Sequence, residues 1–166
     1  MRKKNKESGL TLIELIVAIG IFGLVVSMGF GIFSIAITSQ RRIIALKNVE
    51  DNIRFALESM AREIRTGQNF SGGIGLLSFT NAKGEAVIYR LSGSIIEKSS
   101  DGGTNYLPVT GSDTTVNYLN FYLAGQAAND GLQPRITVTI GAISQVGNQN
   151  SNLKIQTTVS ARLLQS

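Results

Sequence analysis

The 166-residue sequence contains no cysteine and no histidine. The lack of cysteine excludes disulfides and thiol nucleophiles, and the lack of histidine excludes imidazole bases; together they exclude Cys/His zinc sites. Carboxylates remain, but those of the second half are scattered singly among turn-forming residues, at Glu85, Glu97, Asp101, Asp113 and Asp130. We therefore predict no catalytic residues, no metal site and no cofactor.

Negative charge is also scarce, and the net charge of +5 is unevenly placed. Residues 1–9 contain four basic residues, Arg2, Lys3, Lys4 and Lys6, and one acidic residue, Glu7. The rest of the chain contains 12 basic and 10 acidic residues. A nearly balanced remainder argues against a phosphate-binding surface, so we do not expect nucleic acid as a partner.

A long apolar run follows this basic start. Residues 10–37 contain one charge, Glu14, and end before Arg41 and Arg42. About 20 apolar residues span a bilayer, and basic residues in front favour a cytoplasmic amino terminus, with the chain after residue 37 outside. A secretory signal with a small-residue site near residues 34–36 is the alternative, although its apolar region is usually about 7 to 15 residues long.

Glu14 is the unusual residue of this run, because an unpaired carboxylate in a bilayer is costly. It lies close to the expected membrane edge, so its side chain can instead extend to the interface without any special role.

Residues 8–16, SGLTLIELI, resemble the leader and processing motif of type IV pilins and pseudopilins. The resemblance implies that prepilin peptidase cuts between Gly9 and Leu10 and methylates the new amine of Leu10, although phenylalanine is commoner there. It also implies that Glu14, fifth in the mature chain, sets subunit register by pairing with a neighbour's amine. An α-amine with a pKa of about 7.7 to 8.0 is largely cationic at neutral pH.

The resemblance further implies a structural subunit of a type IV pilus or of a secretion or competence pseudopilus, held in the inner membrane and then assembled into a filament. Its expected partners are prepilin peptidase, other pilin subunits, the inner-membrane assembly platform and, before assembly, lipid. Two alternatives stay open: a single-pass anchored binding protein, and a DNA-uptake pilin that contacts DNA.

Small residues form one face of the apolar run. Gly23, Ser27 and Gly31 recur at i, i+4 and i+8, which predicts a helix-packing surface, although ordinary membrane composition explains them equally well. Major pilins commonly have proline at the position of Gly31, so its absence favours a minor subunit.

After Arg42 the apolar residues follow the helical period, at Leu46, Val49, Ile53, Leu57, Met60 and Ile64. Charges of alternating sign occupy another face, at Glu50, Arg54, Glu58 and Arg62. We predict one helix over residues 10–66, ended by Gly67, with a half-buried outer part. A coiled-coil dimer is the alternative for this stripe.

From residue 74 onward the apolar period becomes two, as in residues 119–123, 136–140 and 153–163. A hairpin is expected through residues 92–93, and residues 129–131 and 147–151 are expected as loops. We predict an α+β fold: a leader (1–9), a membrane half (10–37) and an amphipathic half (38–66) of the helix, and an extracytoplasmic domain (67–166) with an antiparallel sheet.

Two further features of the sequence are weaker indications of function. The hairpin around residues 89–98 resembles that of minor pseudopilins of the J or W kind. Residues 101–105, DGGTN, offer one carboxylate for calcium, but turn chemistry explains them better.

Overall fold

The computed structural model describes residues 11–126 and 132–162. Helix α1 (Leu12–Ile64) packs on antiparallel β-sheets, so the predicted α+β layout is confirmed. The chain divides after Gln40 into two compact units, residues 1–40 and 41–166. The strands are β1 (Gln68–Gly72), β2 (Leu76–Thr80), β3 (Ala86–Ser92), β4 (Ile95–Ser99), β5 (Leu107–Pro108), β6 (Thr114–Ala124), β7 (Arg135–Val146) and β8 (Gln149–Ser160).

The outer part of α1 buries a narrow apolar stripe against the sheets. Its buried members are Ala45, Val49, Ile53, Ala56, Met60 and Ile64. Two predicted members differ: Leu46 is 43% exposed and Leu57 is half-buried, because each lies one residue, about 100°, around the helix from the stripe. On the solvated face Arg54 pairs with Glu50 at 3.2 Å.

The helix ends at Ile64, and Gly67 does not end it in the expected way. Gly67 is not among the residues with positive φ; Asn69 takes that conformation, with φ of 58°. A Cβ on Gly67 would lie 2.7 Å from Cδ2 of Phe79. The glycine is therefore needed for close packing and not for a left-handed turn.

Five strands form the first sheet, in the order β1-β2-β3-β4-β5. The predicted hairpin is confirmed as β3 and β4, with its turn one residue later than expected, at Gly93 and Ser94. Gly93 has φ of 60°, as a tight two-residue turn requires. Strands begin at Gln68, earlier than the predicted residue 74, because β1 has no alternating apolar pattern to reveal it.

Strands β6, β7 and β8 form a second sheet where one sheet was predicted. The alternating faces of residues 119–123 and 136–140 are confirmed, with Leu119, Phe121, Ile136, Val138 and Ile140 buried. The predicted loop 147–151 is wrong beyond Gly147 and Asn148, since Gln149 already pairs with Val146. The predicted loop 129–131 and the end of the predicted strand at residue 163 lie outside the described residues.

The core of the second unit lies between α1 and the inner faces of both sheets. Backbone bonds join the sheets through β6: the Gly75 N–H donates to the Leu119 carbonyl at 2.7 Å and the Phe121 N–H to that of Gly73 at 2.9 Å. These bonds cover part of the outer edge of β6.

Candidate functional site

The first turn of α1 contains the acid that the sequence singles out. The Thr11 N–H and hydroxyl both donate to Oε2 of Glu14, at 2.9 and 2.8 Å. The Glu14 N–H donates in return to the Thr11 hydroxyl at 3.3 Å. This reciprocal pattern is a capping box, in which residues i and i+3 satisfy donors that the helix cannot.

Sequence reasoning missed this cap, although its signal was present. A Thr-x-x-Glu spacing directly before an apolar run is the usual sequence sign of a capping box. The resemblance implies that Glu14 pairs with an amine that cleavage exposes, yet the Thr11 hydroxyl already donates to its carboxylate. Gly9 and Leu10, the predicted cleavage and methylation residues, lie outside the described residues.

The helix that follows presents apolar side chains on all sides. Its large apolar residues between Leu12 and Ile35 range from 36% to 77% exposed, and the most apolar window has no buried residue. Among the described residues, α1 is the helix long and apolar enough to cross a membrane. So large an apolar surface needs lipid or other helices to cover it, which fits membrane anchoring.

The predicted small-residue face is present as geometry. A Cβ on Gly23 or Gly31 would meet nothing within 4 Å, and the Ser27 hydroxyl donates to the Leu24 carbonyl at 2.8 Å. The face is therefore open, with its one hydroxyl satisfied inside the helix. Its role in helix packing stays a prediction.

A second polar cluster fastens the end of α1 to the first sheet. The Tyr89 hydroxyl donates to Oε2 of Glu63 at 2.9 Å, and Lys98 forms an ion pair with the same carboxylate. Tyr89 is fully buried, and burial is the main reason that its pKa is raised. The sequence signal was Glu63 itself, a charge next to the buried Ile64 and outside the alternating row.

In the loop of residues 101–105, neighbouring groups donate hydrogen bonds to the one carboxylate. Asp101 accepts from the backbone N–H of Thr104 and Asn105, the Asn105 amide and the Ser99 hydroxyl, at 2.6 to 3.1 Å. These bonds, that of the Asn105 N–H first, lower the pKa of Asp101. Among the described residues, no three Asp or Glu side chains gather into a group that would hold a metal ion.

Three tyrosines of the second unit, Tyr106, Tyr118 and Tyr122, are in different settings. Arg90 stacks on the Tyr106 ring, 3.4 Å from its centroid, and Tyr118 covers Gly141 on the neighbouring strand. Tyr122 is 59% exposed. Packing thus explains two of the three.

Comparison with known families adds one finding. Residues 4–30 match the family described as "Prokaryotic N-terminal methylation motif". The match supports a type IV pilin-like protein. It includes Gly9, Leu10 and Glu14, and it indicates a structural subunit rather than an enzyme, one that prepilin peptidase processes and that assembles with other pilin subunits. No curated protein and no solved structure matches the chain.

Proposed function

We propose that this chain is a structural, minor subunit of a type IV pilus or of a secretion or competence pseudopilus, assembled through α1 after its leader is removed. The observation that carries the proposal is the match of residues 4–30. These residues include the first part of α1, which is apolar on every side and contains one acid, Glu14.

The domain organisation follows from this proposal. Residues 1–9 are the leader, residues 10–37 cross the inner membrane before assembly, residues 38–66 are the amphipathic half of the helix, and residues 67–166 form the domain outside. The amino terminus faces the cytoplasm, as the basic residues of the leader favour. The assembly platform of the inner membrane then moves the subunit from lipid into the filament.

Glu14 has a registry role in this proposal. Apolar helices slide past one another with little change in energy, whereas a carboxylate and an amine in an apolar surrounding fix one axial position. Thr11 holds the carboxylate until the methylated amine of Leu10 in a neighbouring subunit replaces it. Gly23, Ser27 and Gly31 allow close approach of the adjacent helix.

Two features favour a minor subunit, with a hairpin of the J or W kind, over an abundant one. Residues 10–66 contain no proline, so the local break that major pilins commonly have at the position of Gly31 is missing. The β3–β4 hairpin lies within the first sheet and carries the Tyr89 and Lys98 side chains that contact α1.

Mass spectrometry of the protein from its native host tests the proposal. The expected mature chain begins at Leu10 and carries one methyl group on its amino-terminal nitrogen. Gly9→Val should abolish cleavage, methylation and entry into filaments. Gly20→Val is the matched control, because a Cβ there meets nothing within 4 Å; it should be cleaved normally. An uncut wild-type chain, or filament entry of Gly9→Val equal to wild type, would overturn the proposal.

A further inference from the structure

The outer edge of β8 is long and is unpaired among the described residues. β8 pairs with β7 from Gln149 to Ser160 without a register shift, and no strand within residues 11–126 or 132–162 pairs on its other side. The Ala161 N–H donates to the Pro134 carbonyl. The backbone N–H and C=O groups of the odd-numbered residues of β8 therefore point toward β7. The backbone groups that point outward are therefore those of Asn150, Asn152, Lys154, Gln156, Thr158 and Ser160.

The other sheet edges are protected in the ways that prevent strand addition. β1 has a bulge between Gln68 and Ser71, and β5 has two residues, one of them Pro108. Part of the outer edge of β6 is bonded by residues 73, 75 and 94, which lie at or between the strands of the first sheet. On β8 the protection against pairing is a single charge, Lys154.

The outer half of α1 runs along β8 in the same direction. The Ser151 hydroxyl donates to the Arg42 carbonyl at 3.2 Å, and the Arg162 N–H donates to the Arg65 carbonyl at 2.8 Å. Antiparallel pairing of two β8 edges would therefore place the membrane-proximal ends of two copies at opposite ends of the pair. Two copies anchored in one membrane cannot adopt that arrangement, which argues against a second copy as the occupant.

Charge and exposure indicate what does fit the edge. The charged side chains of β6, β7 and β8 are Arg135 and Lys154, both basic. On the inner side Leu153 and Ile155 are only partly buried. A groove of about 290 Å³ continues that side and is lined by Arg42, Ile43, Leu46, Asn150, Ser151 and Asn152.

We propose that the β8 edge binds an extended segment of another protein, added as an antiparallel strand, with acidic side chains on the outer face and apolar ones on the inner face. Backbone hydrogen bonds supply affinity, and the alternating side chains supply specificity. The edge and its charges belong to residues 41–166 and do not depend on the filament role, whereas the exclusion of a second copy rests on membrane anchoring.

The test uses the full-length protein in detergent micelles and a synthetic peptide of alternating glutamate and valine that is long enough to span residues 150–160. Amide exchange of the even-numbered residues of β8 should slow at least about tenfold at saturating peptide, while the odd-numbered amides, already bonded to β7, change little. In antiparallel addition the glutamate N–H groups face β8. N-methylation of every glutamate should therefore abolish binding, whereas N-methylation of every valine should leave it.

Protein variants give a second readout. Gln156→Pro removes one outward N–H and should weaken binding at least about tenfold, while Gln156→Ala keeps the N–H and should stay within about twofold. Lys154→Glu should weaken binding of the acidic peptide and strengthen binding of a peptide of alternating lysine and valine. Absence of peptide binding, equal binding of the two N-methylated peptides, or self-association of the protein that Gln156→Pro abolishes would each overturn the proposal.

Discussion

Thr11 and Glu14 form a cap that the isolated chain needs and that the proposed assembly would exchange. In the isolated chain the carboxylate closes the first helical turn through Thr11, so two backbone donors that would otherwise be unpaired are satisfied. This arrangement keeps the acid hydrogen-bonded when the helix lies in lipid, where an unbonded carboxylate is most costly. In the proposed filament, exchange of Thr11 for an intermolecular amine would replace one set of bonds by another.

Tyr89 and Glu63 allow a prediction about stability. Tyr89→Phe removes the bond of the hydroxyl to Glu63 and its longer contact with Ser59 at 3.5 Å, but it leaves Glu63 paired with Lys98. The free energy of unfolding should therefore fall by about 0.5–1.5 kcal/mol at neutral pH. Denaturant unfolding of the full-length protein in micelles measures this change. Tyr122→Phe, at an exposed position, is the matched control and should change little.

The pH dependence of the same residue has a definite sign. Burial raises the pKa of Tyr89, so the folded chain keeps this proton while the unfolded chain loses it from about pH 10. The contribution is fully present below about pH 10 and is lost as the pH rises toward the raised pKa. Phenolate absorbance should show a tyrosine ionisation that occurs only with unfolding, and Tyr89→Phe should remove that step. Ionisation of every tyrosine before unfolding would contradict this assignment.

Strand β7 owes its position in the second sheet partly to a glycine. A Cβ on Gly141 would lie 2.2 Å from Cε1 of Tyr118, which covers it from β6. Gly141→Ala should therefore lower the free energy of unfolding by about 1–3 kcal/mol, since the ring must move within a packed sheet. Denaturant unfolding in micelles is again the measurement.

Two further variants identify the cause of that loss. Gly73→Ala should change stability little, because a Cβ there meets nothing within 4 Å. When Tyr118→Ala is added to Gly141→Ala, the combined loss should be smaller than the sum of the two single losses, since the clash is gone. Additive losses would show that the ring is not what limits residue 141.

The elements differ in how far the sequence alone predicts them. The helix, the β3–β4 hairpin and the alternation in β6 and β7 follow from local period and turn chemistry, and they were predicted. Strand β1, the split into two sheets and the pairing of Gln149 were not, because polar strands have no apolar period and sheet membership depends on distant partners. The Glu63 cluster joins residues far apart in sequence, so its members could not be matched in advance.

The described chain as a whole combines a self-contained domain with a helical surface that is not covered. Residues 41–166 bury a core of their own, whereas the apolar side chains from Leu12 to Ile35 stay exposed. Apolar side chains have a similar free energy when lipid covers them and when neighbouring helices cover them. Polar contacts must therefore decide between the two environments. Glu14 is the ionisable side chain within this described apolar stretch.

Assembly should therefore depend on Glu14 more than on any single apolar residue nearby. Glu14→Gln keeps the size of the side chain and can still bond Thr11, but it cannot neutralise an amine. We expect normal cleavage after Gly9 and a loss of filament incorporation of at least about tenfold, measured by the ratio of sheared to membrane-held protein. Glu50→Gln, which removes an exposed pair with Arg54, should leave that ratio unchanged. Equal incorporation of Glu14→Gln and wild type would indicate that the shape of the helix surface sets the axial register. Gly23, Ser27 and Gly31 would then be the next positions to test.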